Sequence, residues 1–475
     1  MARLSVMDAA FLQMESQQTP AHVGGLQIFE PPKGREKDFL QDLIVEFEKG
    51  GKVEQPFNQR LKEPTIKLLD PLPSWETDPE FDLNYHVRFA ALPRPGNNDQ
   101  LFTLVERLHA RQLDRSRPLW ELYCIEGLEG GRVAIYTKIH HALVDGVSGM
   151  KLMAAALSTD PDSKSGKAPW QVDTRRRADP DVPPPPAASL LSGVRNALET
   201  QLNTLPEIGR NFQSMIKQLA GQQDGDLAIP FTAPSTPFNT DVTQHRRFAV
   251  ETLSVPEVKA LGAVFGATVN DVVLAICSGA LRSYLKQHSA LPARPLISIC
   301  PVSIRPKDGE AGGNQISFIA VDLATHVPDA VERLRAIKAS AEAAKEQMAE
   351  MSPEGKRNFA ILMNGMNAVL GSSALFKALP APANLVISNV PGPPVPFYLY
   401  GAKLVGMYPV SVLTHGQALN ITITSTEDRL AFGLIADRTA VPDLRWMASL
   451  IRSSYEELLT AAGMDIPPAR AEAAE

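Results

Sequence analysis

Cysteine, basic charge and long uncharged runs are scarce in this sequence, and each shortage removes a class of protein. Only three cysteines occur in 475 residues, Cys124, Cys277 and Cys300, and no CxxC spacing joins them. They form neither a disulfide framework nor a zinc site; isolated thiols in apolar stretches read as buried and fit a reducing cytoplasm. Lys and Arg number 47 against 53 Asp and Glu, a net charge of −6, which argues against nucleic acid as the main partner because phosphate backbones need a basic surface. The longest apolar stretch, Leu261 to Leu281, is interrupted by Asn270-Asp271. A membrane-crossing helix needs about 20 nearly uncharged residues, so this stretch reads as a buried helix and its approach. Asp8 and Glu15 fall where the apolar part of a signal peptide would lie, so none is read. The expectation is a cytoplasmic chain, soluble or attached peripherally to a membrane surface.

What is present points to a large globular core. Hydrophobic residues make up 44% and the length suggests two or three domains or one duplicated architecture. Residues 1–157 read as a mixed α/β domain. Val133, Ile135, Thr137 and Ile139 alternate with Ala134, Tyr136 and Lys138, the period of a strand, and after Gly146 the apolar spacing becomes helical. Residues 158–244 read as a connecting region. Its first part, to 189, carries Asp160-Pro161-Asp162, Arg175-Arg176-Arg177 and Pro183 to Pro186, and reads as a long mobile loop. Its second part, 188–221, has helical spacing broken at Pro206, either a helix pair packed on the body or a face that touches lipid. Residues 245–475 return to a mixed α/β pattern. Asn270-Asp271 reads there as a helix cap, Leu296–Ser303 and Asn384–Asn389 as strands, and Leu419–Ile435 as a hairpin turning at Glu427-Asp428. A closing helix carries Trp446, Leu450, Tyr455 and Leu458 on one face.

The chemistry concentrates where the strand runs into His140-His141-Ala142-Leu143-Val144-Asp145-Gly146. Neighbouring strand residues point to opposite faces, so one imidazole can face a cleft while the other is buried. Histidine, with an unperturbed pKa of about 6.5, can take a proton from an alcohol near neutral pH and return it to a leaving group. Two structural histidines beside a capping aspartate would account for the same residues; His, His and Asp are also metal-ligand types, but adjacent strand residues diverge and no further carboxylate or cysteine sits nearby.

The run resembles the HHxxxDG motif of CoA-dependent acyltransferases. Pro118-Leu119-Trp120, Asn270-Asp271, Ser388-Asn389-Val390-Pro391-Gly392-Pro393, and Met7-Asp8-Ala9-Ala10-Phe11-Leu12 followed by His22-Val23-Gly24 narrow the resemblance to the bacterial wax ester synthase/diacylglycerol acyltransferase family. These matches run from residue 7 to about 395 in the family's order.

That resemblance implies an α/β (α+β) fold of two chloramphenicol-acetyltransferase-like domains with a channel between them meeting at His141. It implies His141 as general base, His140 as its support, and Asp145 with Gly146 holding the turn, the aspartate paired with Arg305 or Arg60. It implies Asn270 in the active site, where its amide can stabilise an oxyanion or orient an acceptor hydroxyl; a plain helix cap is the other reading of that residue. Pro118, Leu119 and Trp120, with Ser388 and Asn389, are expected to shape the substrate channel, although Pro118 to Trp120 also read as an apolar turn packed on the core. No bound cofactor or metal is implied. Acyl-CoA is the co-substrate and a long-chain fatty alcohol or diacylglycerol the acceptor, giving wax ester or triacylglycerol at a membrane or lipid-droplet surface. Lys138, Arg111, Arg115 and the C-terminal lysines are open as contacts for the CoA phosphates. A condensation-like transferase acylating a polyketide or glycolipid hydroxyl, and a non-catalytic lipid-droplet protein, are the alternatives.

Overall fold

The computed structural model describes residues 2–4, 6–49, 51–62, 73–144, 146–163, 168–172, 228, 230–303, 316–350 and 381–466. Two six-stranded mixed sheets and a small three-stranded one carry the chain. The small sheet joins β1 (Ala2–Arg3), β3 (Gln59–Lys62) and β4 (Ser74–Thr77). The first large sheet contains β2 (His22–Glu30), β5 (Val87–Ala91), β6 (Trp120–Glu126), β7 (Val133–His140), β12 (Tyr398–Leu399) and β13 (Ala402–Val410), in the order β12-β13-β2-β7-β6-β5. The second contains β8 (Arg246–Ser254), β9 (Ile297–Ser303), β10 (Ile316–Asp322), β11 (Leu385–Val390), β14 (Leu419–Thr426) and β15 (Arg429–Asp437), in the order β10-β9-β11-β14-β15-β8. Helices α1 (Val6–Met14), α2 (Phe39–Lys49), α3 (Leu83–His86), α4 (Asn98–His109) and α5 (Gly146–Ala155) serve the first half. Helices α6 (Val255–Phe265), α7 (Val269–Gln287), α8 (Ala330–Glu350) and α9 (Leu444–Ala461) serve the second.

The α/β class and the hairpin turning at Glu427 follow the sequence pattern closely, with β14 and β15 paired from Leu419↔Ala436 to Thr426↔Arg429. The two halves, however, exchange material. β13, from the C-terminal half, pairs antiparallel with β2 from Gly24↔Val410 to Glu30↔Lys403, so the division expected at 157 and 245 is crossed by the first sheet. Between the sheets, Leu26, Tyr123 and Tyr136 share one core with Phe102 and Val105 of α4 and with Phe248, Val250 and Ile435 of the second sheet. The approach of β13 to β15 is so close that a Cβ on Gly433 would lie 2.0 Å from the Pro409 carbonyl, so a glycine is required there.

The second half buries its own core, in which Val272, Ile276 and Leu281 of α7 meet Ile337 of α8, Ile451 and Leu458 of α9, and Ile421 and Phe432 of the sheet. Among the described residues no single helix is long and apolar enough to cross a membrane; α6 and α7 pass that test only as a pair bent by 98°. The three cysteines are free and buried, and burial pushes the Cys124 and Cys300 thiols up to about 12.

Three local readings change. On α9 the buried face is Leu444, Met447, Ala448, Ile451, Tyr455 and Leu458; Trp446 lies on the other side and packs on Tyr284 and His288 instead. The segment read as a loose loop from 158 to 189 is anchored in part: Trp170 is 1% exposed and stacks on Trp120 at 5.3 Å, because one indole buries enough area to hold its neighbours. The cap of α7 is Thr268, whose hydroxyl accepts from the Asp271 amide in a capping box; Asn270 sits inside the first turn. The helices read over 188–221 lie outside the described residues.

Candidate active site

β7 is central in the first sheet, between β2 and β6, and is buried along its whole length. It ends at His140, paired across β2 with His22. The two histidines then part company: β7 is buried on both faces and ends at His140, and His141 is the first residue of the turn that leaves it. His140 is fully buried, while His141 is partly exposed. The turn that follows is tied to main chain: His141 N–H donates to the Ala21 carbonyl at 2.9 Å, and Leu143 N–H to the His140 carbonyl at 2.9 Å. The His141 ring stacks on Phe11 of α1, centroids 4.0 Å apart and planes 17° from parallel.

His140 is oriented from two sides. Its Nδ1 accepts from Ala142 N–H at 3.1 Å, which places the ring proton on Nε2. Nε2 faces Glu15, 3.7 Å from Oε1, within ion-pair reach but beyond a direct hydrogen bond. Glu15 follows α1 directly, its side chain only 1% exposed. Its Oε1 accepts from Ala21 N–H at 3.1 Å, and its Oε2 from Arg115 Nη2 at 2.8 Å and Nε at 3.0 Å. Burial alone would raise the Glu15 carboxyl, but His140, the Ala21 amide and Arg115 outweigh it and hold the pKa below the ordinary carboxylate range. Sequence reading missed this residue, treating it only as a charge near the N-terminus. The available signal was its spacing: Phe11 and Glu15 are four apart and fall on one face of a helical turn.

Behind the pair lies a buried polar network. Lys138 Nζ caps the end of α4 through the Leu108 and Arg111 carbonyls and pairs with Glu121 at 3.1 Å. His22 Nε2 donates to the His109 carbonyl at 2.8 Å, and His109 Nδ1 lies 2.7 Å from the Tyr136 hydroxyl. A Cβ on Gly24 would meet that hydroxyl at 2.7 Å. Burial first, and the neighbouring cations second, pull His109 down to about 3 and His22 well below its ordinary value. Both rings therefore stay neutral in the fold while the unfolded chain takes up protons below about 6.5, so stability falls as pH drops, for His109 over the window from about 6.5 toward 3. The expected loss from His109 in that window is on the order of 1 kcal/mol per pH unit. Denaturant unfolding at pH 7, 6 and 5 should show a steep decline that His109→Gln makes shallower; parallel slopes would remove His109 from the account.

The remaining expected site residues take varied positions. Leu119 and Trp120 are 0% and 1% exposed, and Trp120 is the centre of an aromatic stack with His86 at 4.6 Å and Trp170 at 5.3 Å, its Nε1–H donating to Phe57 O. Pro118 is also buried. These side chains pack in the core of the first half. Ser388 and Asn389 are partly buried on β11, parallel to Thr422 and Ile423 of β14, and α5 packs against this strand. Asn270, partly exposed, is relieved of the cap role by Thr268. Gly146 opens α5. Asp145 and Arg305 lie outside the described residues, and Arg60 pairs with Glu76 at 3.1 Å and Asp78 at 3.5 Å.

Comparison with known proteins extends over nearly the whole chain. Residues 4–273 match the Wax ester synthase/diacylglycerol acyltransferase catalytic domain, and residues 312–459 the WS/DGAT C-terminal domain. A Mycobacterium tuberculosis H37Rv protein named as a diacylglycerol O-acyltransferase is 40% identical over 96% of this chain and 98% of its own length. The O-acyltransferase WSD of Acinetobacter baylyi is 38% identical over 96% of each chain. The solved wax ester synthase/diacylglycerol acyltransferase of Marinobacter aquaeolei VT8 superposes with a TM-score of 0.75 at 35% identity, covering 98% of this chain and 100% of that one. The first condensation domain of the calcium-dependent antibiotic synthetase shares the fold, with a TM-score of 0.58 at 15% identity over 99% and 98% of the two chains.

Proposed function

Because the chain belongs to the wax ester synthase/diacylglycerol acyltransferase family and is an O-acyltransferase, we propose that it moves a fatty acyl group from coenzyme A to a lipid hydroxyl, with His141 as general base. The observation that carries the mechanism is the contrast within the double histidine: one ring sealed against Glu15 and the Ala142 amide, the other partly open and held flat on Phe11. A base must be both reachable and fixed, and of the two rings His141 alone meets both conditions.

His141 takes the acceptor's hydroxyl proton as the oxygen attacks the thioester carbon. The tetrahedral intermediate carries its charge on the former carbonyl oxygen, where the Asn270 amide supplies a hydrogen bond. Collapse breaks the carbon–sulfur bond, and the proton on His141 passes to the departing thiolate. The acyl group is never attached to the protein. The acceptor is a long-chain fatty alcohol or diacylglycerol, the product a wax ester or triacylglycerol. Because both acceptors partition into membranes, the enzyme works peripherally at a membrane or lipid-droplet surface.

The test is thiol release from palmitoyl-CoA across a panel of hexadecanol, dipalmitoylglycerol and short alcohols, with products separated by thin-layer chromatography. Ester and free CoA should appear in equal amounts with at least one lipid acceptor. Absence of turnover with every lipid alcohol would sink the proposal. Asn270→Ser is expected to lower kcat about a hundredfold. Its melting temperature should be unchanged, because Thr268 still caps α7. Unaltered kcat would remove Asn270 from the chemistry.

A further inference from the structure

Among the described residues the fold leaves a strongly basic cavity, in a chain whose net charge is −6. It is a cleft of about 440 Å³ between the halves, walled by Arg107 and Arg111 at the end of α4, His245, Arg246 and Arg247 at the start of β8, and Arg438 just after β15. The carboxylate in its wall, Glu106, is engaged by the Phe248 amide at 3.0 Å and by Arg247 at 3.5 Å. Arg246 is buried and held by the Gln18 and Thr243 carbonyls. The guanidinium groups of Arg107, Arg111 and Arg438 are exposed and make no ion pair or hydrogen bond among the described residues. Like charges gathered in a recess repel unless an anion enters, and planar guanidinium forks match phosphate oxygens.

The cleft and the histidines share one scaffold. Gln18, which holds Arg246, stands three residues before Ala21, which holds the His141 amide, so no more than about 10 Å of chain separates the two anchor points. Lys138, three residues before His141, is bonded to the Arg111 carbonyl in the cleft wall. The other nearby cations are committed: Lys138 to Glu121, and Arg115 to Glu15. We propose that this cleft binds the phosphate groups of the acyl donor's coenzyme A through Arg107, Arg111 and Arg438, with the thioester arm running toward His141. This deepens the acyl-CoA reading above and rests on it. A recessed cavity joined to the catalytic strand suits a soluble polyphosphate end better than the headgroups of a flat bilayer.

The experiment compares two donors with one acceptor: palmitoyl-CoA, and palmitoyl-N-acetylcysteamine, which has the thioester but no phosphate. Arg107→Gln, Arg111→Gln and Arg438→Gln should each raise the KM for palmitoyl-CoA about tenfold. The preference for palmitoyl-CoA over the phosphate-free donor should shrink by the same factor, and further in the triple variant. Adenosine 3′,5′-bisphosphate should compete with palmitoyl-CoA in the wild type and lose potency in the triple variant. An unchanged KM for palmitoyl-CoA in the triple variant overturns the proposal. So does loss of binding to phosphatidylglycerol vesicles with that KM intact, which would assign the cleft to lipid headgroups. If the wild type turns over neither donor, the acyltransfer reading itself fails; turnover of both with no donor-specific effect defeats only the cleft.

Discussion

Exchanging His141 for alanine is expected to cut ester synthesis on the order of a thousandfold while the protein melts within a few degrees of wild type. The size follows from general base catalysis, which contributes roughly 10²–10⁴ in rate. The preserved fold follows from the bonding at this position. The turn is held through the main chain of His141, Leu143 and Val144, and an alanine keeps every one of those bonds. The ring is partly exposed, so its loss leaves no sealed cavity. His140→Ala is the internal contrast. It empties a fully buried site and frees the Ala142 amide and Glu15, so it should lower the melting temperature and activity together. Thiol release and differential scanning fluorimetry on the same preparations separate the two. A folded His141→Ala enzyme with a tenth or more of wild-type turnover would end the general-base assignment.

Glu15→Gln should lower kcat by about ten- to a hundredfold, a barrier increase of about 1.4–2.7 kcal/mol, with a smaller change in KM. Glu15 is a positioning residue: it reaches His141 only through others. One route passes through Ala21, whose amide it accepts and whose carbonyl holds the His141 amide. The other passes through the His140 ring to the Ala142 amide. Glutamine keeps an acceptor for Ala21 but removes the charge that Arg115 and His140 face, so the turn loses its electrostatic anchor. Glu15→Asp, which restores the charge on a shorter arm, should recover part of the loss. A fall in melting temperature with kcat intact would make Glu15 purely structural.

Much of this arrangement was legible in the chain because it is local. Alternation from Val133 to Ile139 marks β7, and the change of period after Gly146 marks α5. The hairpin at Glu427 follows from the alternation on either side of it, whereas the split between the histidines comes from the end of β7 at His140. What escaped is non-local, or local but overshadowed. Glu15 is a carboxylate at a helix end, ordinarily solvated, yet here it is buried against His140 and the Ala21 amide and paired with Arg115, 100 positions away. Trp170 lies in a proline-rich, charged stretch whose composition predicts looseness, yet a single contact with Trp120 decides its fate. At α7 the Thr268-x-x-Asp271 spacing is itself a capping box, and Asn270-Asp271, a capping pair by residue type, falls inside the first turn. The basic cleft draws its arginines from three distant segments, so no window of sequence contains it.

The pairing of β13 with β2 has a consequence for how the molecule comes into being. Strand β2 is finished within the first 30 residues, but its partner on one side is not made until residue 402. While the ribosome is still producing the chain, the sheet that ends in the two histidines therefore has a bare flank, open to mispairing with any extended segment nearby. The first half cannot complete this sheet by itself, and a nascent chain stopped anywhere before its last fifth carries the two histidines on a sheet that lacks β13.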